Sequence, residues 1–348
     1  MFASTDRAYT VRRLVTQGGG GLASLLATLL GLLVLTFVIG RALPIDPVLT
    51  VVGEHASAEV YERARVAMGL DQPLVVQFWR YLARVAQGDL GTSVVSGQPV
   101  LSDLARFFPA TFELATLAML LGSLIGIPAG VVAAVFRDRW PDILVRLIGL
   151  AGYSAPVFWL GIVGLLVFYV NLGWVGGPGR LDTLYEYSIE PHTGLVLVDT
   201  LLAGSTEAFA NAVGHLVLPA VVLSWHTAAY LSRMTRGLMI DELNSEYVLA
   251  ARMKGLSAWR IVWRHAFGNV RLPLLTCAAL AYAYLLEGAV VTEAVFAWPG
   301  IGLYITQSLF SADLPAVLGA TTLIGILFLL LNRFVDWLYP RLDPRIKK

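Results

Sequence analysis

The chain has 348 residues, of which 57% are hydrophobic and only 14% are charged, and its mean hydropathy is +0.70. An average soluble domain carries about 25% charged residues, so this chain has too little polar side chain to cover a water-facing surface and is expected to lie in lipid. The balance of 25 Lys and Arg against 24 Asp and Glu gives no electrostatic case for a nucleic-acid partner.

Six apolar runs are long enough to cross a bilayer. The first covers residues 22–40, carries no charge until Arg41, and has a core too long for a cleaved signal peptide. The other five lie near residues 114–136, 147–170, 213–232, 272–292 and 315–332. The sequence therefore predicts an all-α integral membrane protein with six transmembrane helices.

The distribution of basic residues predicts the orientation. Arginines and lysines cluster before span 1, between spans 2 and 3, between spans 4 and 5, and after span 6. The short connections on the other face hold only Arg180, so the positive-inside rule places both termini in the cytoplasm. The predicted parts are a cytoplasmic segment (1–21), span 1 (22–40), an extracytoplasmic segment (41–112), a membrane core of spans 2–6 (113–336) with a cytoplasmic loop (237–271), and a cytoplasmic tail (337–348).

The extracytoplasmic segment between spans 1 and 2 shows helical spacing in two stretches. These are Ala56 to Leu70, and Pro73 to Val85, which opens with a proline where a missing N–H has no cost. A segment of this length cannot bury a core of its own, so we expect its helices to pack on the membrane helices or on a partner.

Glycines and prolines within the spans predict helix contacts and bends. Gly122, Gly126 and Gly130 recur every four residues, which places three positions without side chains on one helix face and favours close helix packing. Pro156 and Pro219 each remove a helix hydrogen bond and are expected to kink their spans.

A carboxylate inside a span suggests a translocation pathway. Glu287 is the only acidic residue well inside a span, where a charge is costly unless it faces water or a partner. It lies less than two helical turns from Glu293, so a hydrated helix end is the competing interpretation. The residues assigned to the pathway are Glu287, Glu293, Pro156 and Trp159.

The cytoplasmic loop contains two short helical patterns. Asn244 or Ser245 can cap a helix that begins at Glu246, carries basic residues in its last turn, and stops at Gly255. Ser257 can cap a second helix that leads into span 5. From the residues alone, this loop is a basic helix at the membrane surface.

A resemblance to a known family gives this loop a further meaning. The order Glu246, Ala250-Ala251, Gly255 and then Leu272-Pro273 resembles the EAA loop of binding-protein-dependent ABC transporter permeases. Further segments resemble the dipeptide, oligopeptide and nickel class, and among them the first permease of each pair. These segments are Leu43–Pro47, Met68–Pro73, Gly88–Ser93, Pro109–Leu114, Gly152–Trp159, Phe296–Gly302 and Asp336–Arg345.

The resemblance implies a set of partners and a coupling site. In this family the loop docks into a groove of a cytoplasmic ATPase, so the implied coupling residues are Glu246, Ala250, Ala251, Arg252, Lys254 and Gly255. The implied partners are a second permease, two ATPase subunits that bind ATP and Mg, and an extracytoplasmic solute-binding protein. The chain itself is expected to be a non-enzymatic, multi-pass protein of the bacterial inner membrane with no cofactor, metal site or catalytic residue.

Other functions are less well supported by the sequence. None of the lysines, Lys254, Lys347 and Lys348, ends a phosphate-binding glycine-rich loop, and neither His-Glu-x-x-His nor Gly-x-Ser-x-Gly occurs, so an ATPase or an intramembrane hydrolase is disfavoured. A stand-alone secondary transporter would need an ion-coupling site within the spans, and these are almost free of charge. Peptides are the favoured solute, with nickel or another small solute as the alternative.

Overall fold

A computed structural model describes residues 27–38, 46–53 and 55–342 of the chain. Over these residues the secondary structure is helical, apart from one isolated β-bridge between Thr92 and Pro99. The helices are α1 (Ala27–Val38), α2 (Pro47–Val52), α3 (Ala58–Ala67), α4 (Leu74–Ala86), α5 (Val100–Val135), α6 (Trp140–Ser154), α7 (Val157–Gly164, continued by a π-helical turn Leu165–Asn171), α8 (Thr183–Glu186), α9 (Val196–Leu202), α10 (Thr206–Leu243), α11 (Glu246–Met253), α12 (Ala258–Arg260, continued by a π-helical turn Ile261–Ala266), α13 (Phe267–Val295), α14 (Ile301–Phe310) and α15 (Leu314–Leu342).

Within the described residues, four helical stretches are long and apolar enough to cross a membrane. They are Val100–Val135, Thr206–Leu243, Ala258–Leu286 and Leu314–Val335. The pair formed by α6 and α7 with its π turn makes a fifth if it is counted as one bent span. Part of the predicted first span, residues 22–40, lies outside the described residues, and α1 is its described portion.

The third predicted span, residues 147–170, is broken rather than merely kinked. Helix α6 ends at Ser154, α7 begins at Val157, and the two axes differ by 93°. Pro156 has no N–H to continue the helix and forces Ala155 into an extended conformation (φ −81°, ψ 126°). In contrast, α10 runs through Pro219 without a break.

Several helices extend beyond the apolar runs that mark them in the sequence. Helix α5 begins at Val100, although the apolar run starts near residue 114, and α10 covers Thr206–Leu243 rather than 213–232. Hydropathy detects only the part of a helix that would lie in the hydrocarbon, whereas backbone hydrogen bonding continues into the polar residues at each end.

The chain forms two compact units, the first of which contains the residues up to Asp103 together with Ser308–Leu330. In this unit α3 and α4 lie close to where the sequence predicts them. The ring of Phe37 in α1 packs against Phe78 and Tyr81 of α4, with ring centroids 5.4 and 5.8 Å apart. The long segment therefore packs on α1, the described portion of the predicted first span.

A buried aspartate anchors the segment Gly88–Ser93 to the start of α15. Asp313 is fully buried, and its Oδ2 accepts hydrogen bonds from the hydroxyl of Ser93 (2.6 Å) and the amide of Val95 (3.1 Å). Its other oxygen accepts from the amide of Ala316 in the first turn of α15 (3.2 Å). The carboxylate thus caps the helix and fixes the preceding loop at once.

The second unit contains Leu104–Gln307 and the residues from Leu331 on. Its glycines Gly122, Gly126 and Gly130 face α10. A Cβ atom at Gly126 would lie 2.6 Å from the carbonyl oxygen of Ala228, and one at Gly130 would lie 2.5 Å from that of Ser232. Because real Cβ contacts are never this short, α5 and α10 approach each other through their backbones, as small residues permit in lipid.

Helix α10 is the central element of the second unit and contacts α6, α7, α9 and α13. Its apolar residues take part in several core clusters, two of which lie toward opposite ends of the helix. One contains Ala110, Leu114, Ala115, Ala118, Val196, Ala212, Leu216, Ala220, Leu223, Leu285 and Trp298, and the other contains Val131, Ala134, Leu231, Met239, Ala266, Val270, Leu274 and Ala281.

Candidate functional site

Helix α11 is the short helix that the sequence predicts between Ser245 and Gly255. It starts at Glu246, directly after Ser245 in an extended conformation (φ −73°, ψ 153°), and ends at Met253. The acidic residue in its first turn and the basic residues in its last turn match the helix dipole. The chain then reverses at Gly255, whose φ of +77° is in the left-handed region that glycine adopts without strain.

One face of α11 packs on its own chain. Val248 is completely buried and Ala251 is 9% exposed, and both contact Ile261 in the π turn that leads into α13. Leu243 and Leu256 pack against the same cluster. The helix is therefore packed against the end of α10 and the π turn that leads into α13.

The opposite face of α11 presents apolar side chains to the surroundings. Leu249 is 59% exposed and Met253 is 76% exposed, one turn apart on the helix.

The residues assigned to coupling from the sequence are divided between the two faces of α11. Ala251 is buried, Ala250 is half-buried, and Glu246, Arg252, Lys254 and Gly255 are exposed.

Polar contacts also hold α11 in place. The hydroxyl of Tyr247 donates to the carboxylate of Glu242 near the end of α10, and the side-chain amide of Asn269 in α13 donates to the same oxygen (3.4 Å). Burial raises the pKa of Tyr247, and the hydrogen bond to Glu242 raises it further, so the phenol stays protonated and remains a donor.

A buried ion pair joins α10 to α6 on the stretch of α10 that leads into α11. Two nitrogens of the Arg236 guanidinium donate to the two carboxylate oxygens of Asp142, at 2.6 and 2.7 Å. Asp142 is completely buried, and the amide of Asp138 donates a third hydrogen bond to it (2.9 Å). This bidentate geometry is the strong form of an arginine–carboxylate contact.

At the other end of the second unit, Glu293 caps α14. It is completely buried, and its Oε1 accepts from the hydroxyl of Thr111 (2.6 Å). Its Oε2 accepts from the backbone amides of Gly302 (2.6 Å) and Leu303 (3.1 Å) in the first turn of α14. These contacts account for a buried carboxylate here without any contact to a solute.

The segment Phe296–Gly302 encloses this carboxylate. The indole N–H of Trp298 donates to the carbonyl oxygen of Ala110 (2.9 Å), which ties the turn to α5. A Cβ atom at Gly300 would lie 2.4 Å from Oε1 of Glu293, so this glycine leaves the space that the carboxylate occupies. The segment is a structural turn at the junction of α5, α13 and α14.

The other residues assigned to the pathway lie at the bend and in α13. Pro156 stands at the break between α6 and α7, and Trp159 in α7 is 52% exposed. Glu287 falls within α13, but its side chain lies outside the described residues. A pathway role for these three residues stays a prediction.

Two protein-family models match the chain. Residues 126–348 match the family described as "Binding-protein-dependent transport system inner membrane component". Residues 11–115 match the model described as "Binding-prot-dependent transport system membrane comp, N-term". Together the two models cover most of the sequence, including α11 and the turn around Trp298.

Individual relatives match along nearly their whole length. The probable D,D-dipeptide transport system permease protein DdpB of Escherichia coli K12 is 45% identical, over 91% of this chain and 93% of the relative. The di/tripeptide transport system permease protein DppB of Pseudomonas aeruginosa is 42% identical, over 94% and 97%. The dipeptide transport system permease protein DppB of Alkalihalophilus pseudofirmus is 36% identical, over 98% and 99%.

A solved structure shares the fold. The inward-facing MetNI methionine ABC transporter aligns with a TM-score of 0.50 and 17% sequence identity, over 69% of this chain and 96% of the matched chain. At this identity the likeness concerns the arrangement of helices alone.

Proposed function

This chain belongs to the family of inner membrane components of binding-protein-dependent transport systems, and from that membership we propose that it carries short peptides across a bacterial cytoplasmic membrane. It is a permease subunit of an ABC importer. The peptide substrate is supported by the dipeptide, D,D-dipeptide and di/tripeptide systems to which its relatives belong.

The proposed topology has six spans with both termini in the cytoplasm. Four long apolar helices, the bent α6–α7 pair and the apolar helix α1 supply six candidates, and the distribution of basic residues supports the orientation. The segment between α1 and α5 then lies outside, and α11 lies inside.

The proposed assembly pairs this chain with a second permease, two cytoplasmic ATPase subunits and an extracytoplasmic solute-binding protein. ATP and Mg would be bound by the ATPase subunits, since no lysine of this chain ends a phosphate-binding loop. The two permeases together would form the pathway, which opens alternately to each side.

The coupling proposal rests on one observation: α11 packs one face on its own chain and exposes apolar side chains on the other. Its inner face, Val248 and Ala251, is fixed on Ile261, so the helix moves together with α13. Its outer face exposes Leu249 and Met253, an apolar pair of the kind that anchors a helix in a protein groove. We assign direct contact with the ATPase to this outer face, and the positioning of the helix to Ala251.

Replacing both outer residues, Leu249→Ser and Met253→Ser, should weaken ATPase association by about tenfold or more, because anchor residues dominate interface energies. The permease should still insert and fold, since both side chains are largely exposed. Quantitative co-purification of the ATPase subunits, together with peptide-stimulated ATP hydrolysis, measures the effect.

A matched control replaces two exposed apolar residues of the proposed outer segment, Val66→Ser and Leu74→Ser. This variant should retain its ATPase subunits. Equal ATPase retention by both variants would show that α11 is only a helix at the membrane surface.

A further inference from the structure

A large cavity lies in the second unit, beside the first turns of α5 and the connection between α7 and α10. Its volume is about 740 Å³, within the range of small-molecule sites. In the proposed topology it opens on the extracytoplasmic side, where a solute would arrive. The residues that matter for its chemistry are Arg106, Arg180, Glu186, His192 and Asp199.

Buried carboxylates fix the walls of this cavity. Glu113 of α5 accepts hydrogen bonds from the first two amides of α9, at 3.0 and 2.9 Å. Asp199 accepts from the amide and hydroxyl of Thr193 (2.8 and 2.7 Å) and from the amide of Gly194 (2.9 Å). These carboxylate oxygens accept hydrogen bonds from the backbone that forms the cavity wall.

Two guanidinium groups line the cavity. Arg180 is half-buried and donates to the carbonyl oxygen of Gly194 (2.7 Å), while Arg106 is exposed. Among the described residues, no carboxylate lies within ion-pair distance of either group. Burial lowers the pKa of Arg180, because lost hydration is only partly replaced by attraction to the charges of Glu113, Asp199 and Glu186.

We propose that this cavity binds the free α-carboxylate of a short peptide on its way into the pathway, with Arg180 and Arg106 as the cationic groups. The inference rests on the proposed importer function, since it takes the peptide and the outward orientation from it. A guanidinium matches a carboxylate with two parallel hydrogen bonds, and a ligand carboxylate would give Arg180 a direct ion-pair partner in addition to its longer-range attraction to Glu113, Asp199 and Glu186. Glu186 lines the same cavity and provides a negative charge suited to the α-ammonium group of the peptide.

The local charge can be measured on the assembled transporter without its binding protein. His192 is exposed and lines the cavity, so His192→Cys in a Cys277→Ser background places one thiol there. The ratio of the rates at which an anionic and a cationic methanethiosulfonate label this thiol measures the charge at the cavity. Removing either positive charge, by Arg180→Gln or Arg106→Gln, should reduce the ratio of the two rates roughly three- to tenfold.

Two further variants separate charge from structure. Arg180→Lys keeps the positive charge and should keep most of the rate ratio. Arg84→Gln removes an exposed arginine of α4 that does not line the cavity and should leave the ratio unchanged. Because Arg180, and not the exposed Arg106, donates to the carbonyl oxygen of Gly194, the Arg106 variant tests the charge without removing this hydrogen bond.

Protection of the thiol from labelling by added dipeptides tests whether the cavity recognises a free carboxylate. Dialanine with a free carboxylate should slow labelling at His192→Cys, whereas its C-terminal amide should not, and Arg180→Gln should abolish the difference. Equal protection by acid and amide, or protection by neither, would overturn the proposal. If the acid protects but the complete transporter takes up no peptide, the cavity assignment stands and the proposed importer substrate is wrong.

Discussion

The Arg236→Met variant is expected to lose about 3 to 5 kcal/mol of stability, because it leaves a completely buried carboxylate without its counter-charge. Arg236 is the bidentate partner of Asp142, and the amide of Asp138 is the other donor to this carboxylate. The loss should appear as a lower midpoint of thermal unfolding in detergent micelles and as a lower protein level in the membrane.

A double variant separates the loss of the ion pair from the cost of leaving the Asp142 carboxylate buried and unpaired. Asp142→Leu combined with Arg236→Met removes both charges, so it should be more stable than Arg236→Met alone. If the double variant were less stable than the single one, or if Arg236→Met melted like the wild type, the ion pair would not hold α6 to α10.

The Glu293→Ala variant should be destabilised by about 2 to 5 kcal/mol, because it opens a cavity and leaves buried donors without an acceptor. These donors are the hydroxyl of Thr111 and the amides of Gly302 and Leu303. Thermal unfolding again measures the loss. Glu293→Gln retains one carbonyl oxygen as an acceptor and should keep a larger part of the stability.

The glutamine variant also distinguishes a helix cap from a pathway residue. If Glu293 acts only as a cap, the protein that folds should take up peptides of different net charge in the same proportions as the wild type. A changed preference for charged peptides at unchanged thermal stability would assign Glu293 to the pathway and contradict its capping role.

Local features of the fold could be predicted from the sequence because their signals are local. The bounds of α11 follow from Ser245, which stands at the N-cap position in an extended conformation, and from Gly255, which reverses the chain. The hydroxyl of Ser245 does not cap α11 but donates to the carbonyl oxygen of Glu242 (2.6 Å). The helices α3 and α4 follow in the same way from their spacing and from Pro73. The glycine repeat at 122, 126 and 130 marks a contact face, but it does not identify α10 as the partner.

Features that depend on distant residues could not be predicted. Asp142 and Arg236 are 94 positions apart, and Thr111 and Glu293 are 182 apart, so no local pattern joins them. The inner and outer faces of α11 also depend on where Ile261 packs, which is why Ala251 and Met253 could not be assigned to opposite sides from the sequence. At Pro156 the sequence indicates a weakened helix, while the 93° bend depends on how the two halves pack.

Uptake driven by ATP is the most direct test of the central claim. The purified chain, with its partner permease and ATPase subunits, would be reconstituted in liposomes with ATP inside and with binding protein and labelled dipeptide outside. Uptake should require internal ATP, should persist when ionophores collapse all ion gradients, and should fail in the Leu249→Ser, Met253→Ser variant. Uptake without ATP that follows an imposed proton or sodium gradient would contradict the account.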